Sequence, residues 1–180
     1  NELNDKKRTI NYETALKTIE ELRRINNYET VKVLFHGGEP LLCYDVIEKI
    51  INHYKEQGIA EKLDYYIQTN CVLLTEDKIK FFKENDVKIS ISVDGNDEES
   101  NACRILCNKT NSIMVIKKAI DLLNKNNVKI NALAVLNKRN YKFVDKIIDF
   151  FVENNIYDFS FNYFIKIQYV NIFDCFVLTI

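Results

Sequence analysis

The sequence predicts a parallel α/β domain whose functional face lies at the carboxyl ends of its strands. Three observations predict it. Short β-rich apolar segments alternate with amphipathic helical stripes along the chain, the strands stop at glycine or polar turn residues, and the intervening helices run 10 to 16 residues. Helices of that length joining consecutive strands imply right-handed crossovers and a parallel sheet.

The elements follow in order. Residues 12–26 place Leu16, Ile19 and Leu22 on one stripe, with Glu20 and Arg24 as an i, i+4 pair, and read as a helix. Val31–Phe35 is a short β-rich run that stops at His36-Gly37-Gly38-Glu39-Pro40. Tyr44, Ile47, Ile50, Ile51 and Tyr54 make the next helical stripe, and 64–69 the second strand, ending at Asn70-Cys71. Thr75 before Glu76 and Asp77 is an N-cap signal for a helix ending near Asn85. Residues 87–93 alternate cleanly and stop at Asp94-Gly95. A polar loop at 96–111, expected to be mobile, leads to a helix carrying Val115, Ile116, Ala119, Ile120 and Leu123. A strand at 128–136, a helix carrying Phe143, Val144, Ile147, Ile148 and Phe151, and a last strand at 157–165 complete the series.

An open doubly wound sheet and a full or partial (β/α) barrel both fit this order, and both bind ligands at the strand carboxyl ends. Neither a Gly-x-Gly-x-x-Gly turn nor a Walker loop follows any strand, which favours the barrel.

Composition narrows the function classes. Twenty-five Lys and Arg against 26 Asp and Glu give a net charge of -1, so nothing draws the chain to nucleic acid or to an anionic membrane. No apolar run approaches the roughly 20 residues of a bilayer span, and no signal peptide is apparent, so a cytoplasmic location is expected. Five scattered cysteines suit reduced thiols better than a disulfide framework.

The polar residues collect where such a fold keeps its site: Gly37, Gly38, Glu39 and Pro40 after the first strand, Gln68 and Asn70 after the second, Ser92 and Asp94 after the third. Two glycines before Glu-Pro let backbone approach a ligand closely and offer one carboxylate to a cationic group. The plainer reading of the same residues is a tight turn capped by Glu39. A barrel enzyme using Glu39 and Asp94 as acid and base is a further reading.

In this order and spacing, His36-Gly37-Gly38-Glu39-Pro40-Leu41-Leu42, Ile67-Gln68-Thr69-Asn70 and Ser90-Ile91-Ser92-Val93-Asp94-Gly95 resemble radical S-adenosylmethionine enzymes, most closely those that modify peptides and mature sulfatases. The resemblance covers roughly 10–165 and implies a partial (β/α)6 barrel. It implies that Gly37, Gly38, Glu39 and Pro40 hold the amino group of S-adenosylmethionine, that Ser92 meets the ribose, and that Arg104 lies near the carboxylate. Gln68, Asn70 and Asp94 complete the expected cofactor-binding set.

The family's 4Fe–4S cluster is held by a CxxxCxxC loop after the first strand, and one electron from it splits the cosubstrate to a 5′-deoxyadenosyl radical. That motif is not in these 180 residues. The register puts it just upstream of Asn1, so the chain is expected to be a fragment lacking its first strand and cluster loop, inactive alone. No residue is assigned as a metal ligand or as catalytic. Cys103 and Cys107 match two ligands of three, but Thr110 stands at the third place. Other departures are Cys71 at a common glycine and Ser100-Asn101 at a His-Asp pair.

A barrel at 1–165 and an apolar tail at 166–180 are the expected domains. The expected function is peptide or protein side-chain modification, an oxidoreductase chemistry with a flavodoxin or ferredoxin as electron donor. The alternative is a degenerate barrel that at most binds a peptide or nucleoside.

Overall fold

The computed structural model describes residues 10–163; the predicted tail at 166–180 lies outside them. Five helices and five strands alternate: α1 Tyr12–Ile25, β1 Val31–Phe35, α2 Tyr44–Glu56, β2 Leu63–Thr69, α3 Glu76–Glu84, β3 Lys88–Ser92, α4 Ile113–Lys125, β4 Ile130–Leu136, α5 Val144–Glu153 and β5 Asp158–Tyr163. Every predicted element within the described residues is present, with ends shifted by at most two residues; the predicted end of the last strand, 164–165, lies outside them.

All four strand pairings are parallel, and the order across the sheet is β1-β2-β3-β4-β5. This order decides between the two architectures. A doubly wound sheet reverses direction at a switch point and so carries helices on both faces. Here the order never reverses, and right-handed crossovers then place every connecting helix on one face. The strands curl into a half-barrel with the helices outside.

Burial alternates accordingly. Val31, Val33 and Phe35 of β1, Leu63, Tyr65 and Ile67 of β2, and Ile89 and Ile91 of β3 are buried against the helices. The opposite face carries Gln68, Asn70, Ser90, Ser92 and Asn131, all half-buried. α2 seats Ile47, Ile50, Ile51 and Tyr54 in the core, the stripe its sequence spacing defines. Truncating any one of these isoleucines to alanine would cost about 2–5 kcal/mol.

Every helix ends in the same way. Asn27, Gly58, Asp86, Asn127 and Asn155 each stand two residues past a helix with φ between 50° and 69°. The residue after each returns its N–H to the third-last turn position, as in Ile59 to Tyr54, Val87 to Phe82, Val128 to Leu123 and Ile156 to Phe151, at 2.8 to 3.1 Å. These are Schellman closures, and asparagine, aspartate and glycine are the residue types that tolerate the left-handed position. They turn the chain sharply into the following strand. At the other end of α3, Thr75 Oγ1 accepts the Lys78 N–H at 3.4 Å, the predicted cap.

Candidate functional site

The loop after β1 is built on Gly37, whose φ of +148° is open in practice only to glycine. Pro40–Cys43 then forms one 3-10 turn, with Pro40 buried at its first position and Glu39 as its cap, accepting the Leu41 N–H at 3.1 Å. The plainer reading of this loop is therefore correct as far as it goes. The Glu39 carboxylate does more, however: it also accepts the Thr69 hydroxyl at 2.7 Å and the Asn70 N–H at 2.8 Å. One carboxylate thus ties the β1 loop to the end of β2.

Asn70 turns its side-chain oxygen to the Val72 N–H at 3.0 Å, and Cys71 sits between them at φ +68°. That left-handed position explains why glycine is common there in the resembling family. Cys71 is 2% exposed, and burial first, then the Glu39 charge, pushes its thiol pKa up, with Arg104 opposing.

The β2 and β3 ends are joined by Gln68, whose amide donates to Ser92 Oγ at 2.7 Å. Two residues on, Asp94 is a hub. Its Oδ1 accepts Arg104 Nη2 at 2.7 Å and the Val135 N–H at 2.8 Å. Its own N–H donates to Asn101 Oδ1 at 3.0 Å, and its carbonyl accepts Asn140 Nδ2 at 3.2 Å. With the Asp94 side chain 5% exposed and committed to an ion pair, it has no place as a solvent-facing acid or base.

The 96–111 loop is stitched by side-chain hydrogen bonds at its two ends. Ser100 donates and accepts at Asp97, Asn101 Nδ2 reaches Asn111 and Ser112 at 3.0 and 3.1 Å, and Ile105 bridges to Asn111. Part of its polar composition is thus used internally, as bonds between amide and hydroxyl side chains. Ser100 and Asn101, at the places of the family's His-Asp pair, serve this stitching.

Two clefts open at the strand carboxyl ends. One of about 450 Å³ is lined by Glu39, Leu42, Asn70, Val72 and Ile105, and one of about 770 Å³ by Asp94, Ala102, Ile105, Val135 and Asn137. A Cβ added at Gly38 would meet nothing within 4 Å, so the space over the loop is open. Among the described residues, three buried side-chain nitrogens have no hydrogen-bond partner, Arg23 Nε in α1 and, at this end of the sheet, Arg104 Nε and His36 Nδ1. A buried guanidinium nitrogen wants an anionic acceptor, and the Glu39 charge wants a cation. Each is the kind of group that one end of an amino acid zwitterion needs. No group of three or more His, Cys, Asp or Glu among the described residues is placed to hold a metal, and Cys103 and Cys107 are both exposed. The donor set fits an S-adenosylmethionine and includes no ligand set for a cluster.

The pattern of the Radical SAM superfamily matches residues 2–151. The chain belongs to that superfamily. A cysteine-type anaerobic sulfatase-maturating enzyme of Clostridium novyi is 39% identical over 133 residues, covering 73% of this chain and 35% of the relative. The radical SAM cyclopropyl synthase TigE of Paramaledivibacter caminithermalis is 31% identical over 163 residues, covering 88% of this chain and 32% of the relative. The solved structure of anSMEcpe with bound AdoMet and Kp18Cys peptide superposes with a TM-score of 0.68 at 28% identity, covering 73% of this chain and 37% of that one. The chain thus spans about a third of the length of these radical SAM relatives.

The structure brings the sequence-selected residues into three linked groups: Gly37 to Pro40 with Asn70, Gln68 with Ser92, and Asp94 with Arg104. It adds Thr69, Asn101 and Asn140, each at most 1% exposed. For Thr69 the signal in the sequence was a polar residue in register with the apolar Leu63, Tyr65 and Ile67, whereas Asn101 and Asn140 lie in loops and carry no such signal.

Proposed function

We propose that this chain is the S-adenosylmethionine-binding core of a radical enzyme that modifies a peptide or protein side chain. The observation that carries the reading is the Glu39-anchored glycine loop after β1, together with an Arg104 that Asp94 holds after β3 and whose buried Nε has no partner among the described residues. In this reading Gly37, Gly38 and Glu39 take the ammonium, Arg104 takes the carboxylate, and Pro40 fixes the turn. Ser92, oriented by Gln68, meets the ribose. Asn70 holds the loop edge and Asp94 holds Arg104. When bound, S-adenosylmethionine and a 4Fe–4S cluster supply one-electron radical chemistry.

The same reading takes a peptide or protein as substrate, a flavodoxin or ferredoxin as electron donor, and a cytoplasmic setting that keeps thiols reduced. Its support is the peptide bound in a similar structure and the sulfatase-maturating relatives. The barrel would span 1–165. Among the described residues no helix is long and apolar enough to cross a membrane.

Titration of S-adenosylmethionine into the full-length protein and its Arg104→Ala variant tests the reading. Loss of one charge-assisted bond to the carboxylate weakens binding on the order of tenfold or more. Equal affinity in both proteins would remove Arg104 from the site.

A further inference from the structure

Thr69 is the last residue of β2 and is 1% exposed, so its hydroxyl must find partners inside the protein. The other helix-facing positions of β2 are Leu63, Tyr65 and Ile67, and a valine would fill the position of Thr69 with the same shape. The hydroxyl is used instead. It donates to Glu39 Oε1 at 2.7 Å and accepts the Cys71 N–H at 3.0 Å.

The Glu39 carboxylate has three donors, and two of them, Leu41 and Asn70, are backbone N–H groups. Thr69 is the one side chain among the three. A carboxylate has about four acceptor positions, so one remains, on Oε2. The Thr69 hydroxyl therefore determines where the charge of Glu39 lies on the cleft wall, and the same hydroxyl holds the turn at Cys71, which is at φ +68°.

We propose that Thr69 is the positioning residue of the ammonium end of the site. Its hydroxyl locks the 37–41 loop to the end of β2 and leaves one Glu39 acceptor position for a ligand cation. The identity of that ligand rests on the function proposed above, whereas the lock is a property of the chain alone.

Amide hydrogen exchange followed by NMR reads the lock without any ligand. In Thr69→Val, exchange at Leu41 and Asn70 accelerates about tenfold or more, the effect of losing a hydrogen bond to a charged group, while Ile91 and Ala132 in the neighbouring strands keep their rates. Thr69→Ser, which keeps the hydroxyl, restores both. Affinity of the full-length protein for S-adenosylmethionine falls on the order of tenfold in the valine variant and recovers in the serine variant. A threonine that only filled space would slow or speed all amides together and leave affinity alone.

Unchanged exchange at Leu41 and Asn70 in Thr69→Val overturns the proposal, as does a serine variant that behaves like the valine one. If Thr69→Val does not fold, Glu39→Gln reads the same lock from its acceptor side, and unchanged exchange there overturns it equally. A wild-type protein that binds no S-adenosylmethionine defeats the cosubstrate reading, while the exchange rates still decide the role of Thr69.

Discussion

Replacing Asp94 by alanine removes the acceptor of both Arg104 Nη2 at 2.7 Å and the Val135 N–H at 2.8 Å. Arg104 would keep no partner for its guanidinium among the described residues, since its buried Nε already has none there. Breaking a buried ion pair by deleting one partner costs about 3–5 kcal/mol. Arg104 retains 22% side-chain exposure, which lets water recover part of its charge and puts the loss at the lower end. The Val135 N–H adds roughly 1 kcal/mol, for a total of about 3–4 kcal/mol. Asp94→Asn keeps an acceptor of the same shape and is expected to lose about half as much. Urea unfolding of the two variants beside wild type measures both. A loss below about 1 kcal/mol in Asp94→Ala would mean that the Asp94 hub does not hold the β3 and β4 ends together.

The thiols and one acid give two further expectations. Brief alkylation with iodoacetamide, mapped by mass spectrometry, should label the exposed Cys103 and Cys107 and spare Cys71, which is buried with its pKa raised by that burial; labelling of Cys71 in the folded protein would contradict its placement. Asp97 has its pKa held below the ordinary 3.8 by the Ser100 N–H and then the Ser100 hydroxyl. Because the folded value is the lower one, the stabilisation is present above the unfolded pKa and lost as pH falls through the folded one. The Ser100 amide should therefore keep its protection factor from neutral pH to about pH 4 and lose it below that; loss already at pH 6 would assign the turn to another cause.

Much of the fold was legible because its signals are local. The period-2 runs at 31–35 and 87–93 and the helical stripe of Ile47, Ile50, Ile51 and Tyr54 each encode one element and the face it buries. Barrel against open sheet was not local, because it depends on the order in which strands pair, and only the unreversed order β1 to β5 settles it. The five Schellman closures were present as Asn-Asn, Gln-Gly and Asn-Asp pairs after each helix, a signal that went unread beside the stronger apolar periodicity.

The site was legible as three motifs but not as a network. Glu39 and Asp94 looked like residues awaiting a ligand, whereas their carboxylates are largely occupied by Thr69, Asn70, Arg104 and Val135, partners 10 to 41 positions away. Sequence spacing carries no information about such pairs. For the same reason the polar loop at 96–111 gave no sign that Asn101 lies fully buried near its centre.

A crystal structure of the full-length protein with S-adenosylmethionine tests the central claim most directly. The account predicts the cosubstrate at the strand carboxyl ends, its ammonium on the 37–39 loop and its carboxylate within hydrogen-bond reach of Arg104 Nε. A cosubstrate bound at the opposite end of the sheet, or one whose carboxylate leaves Arg104 Nε without a partner, would contradict it.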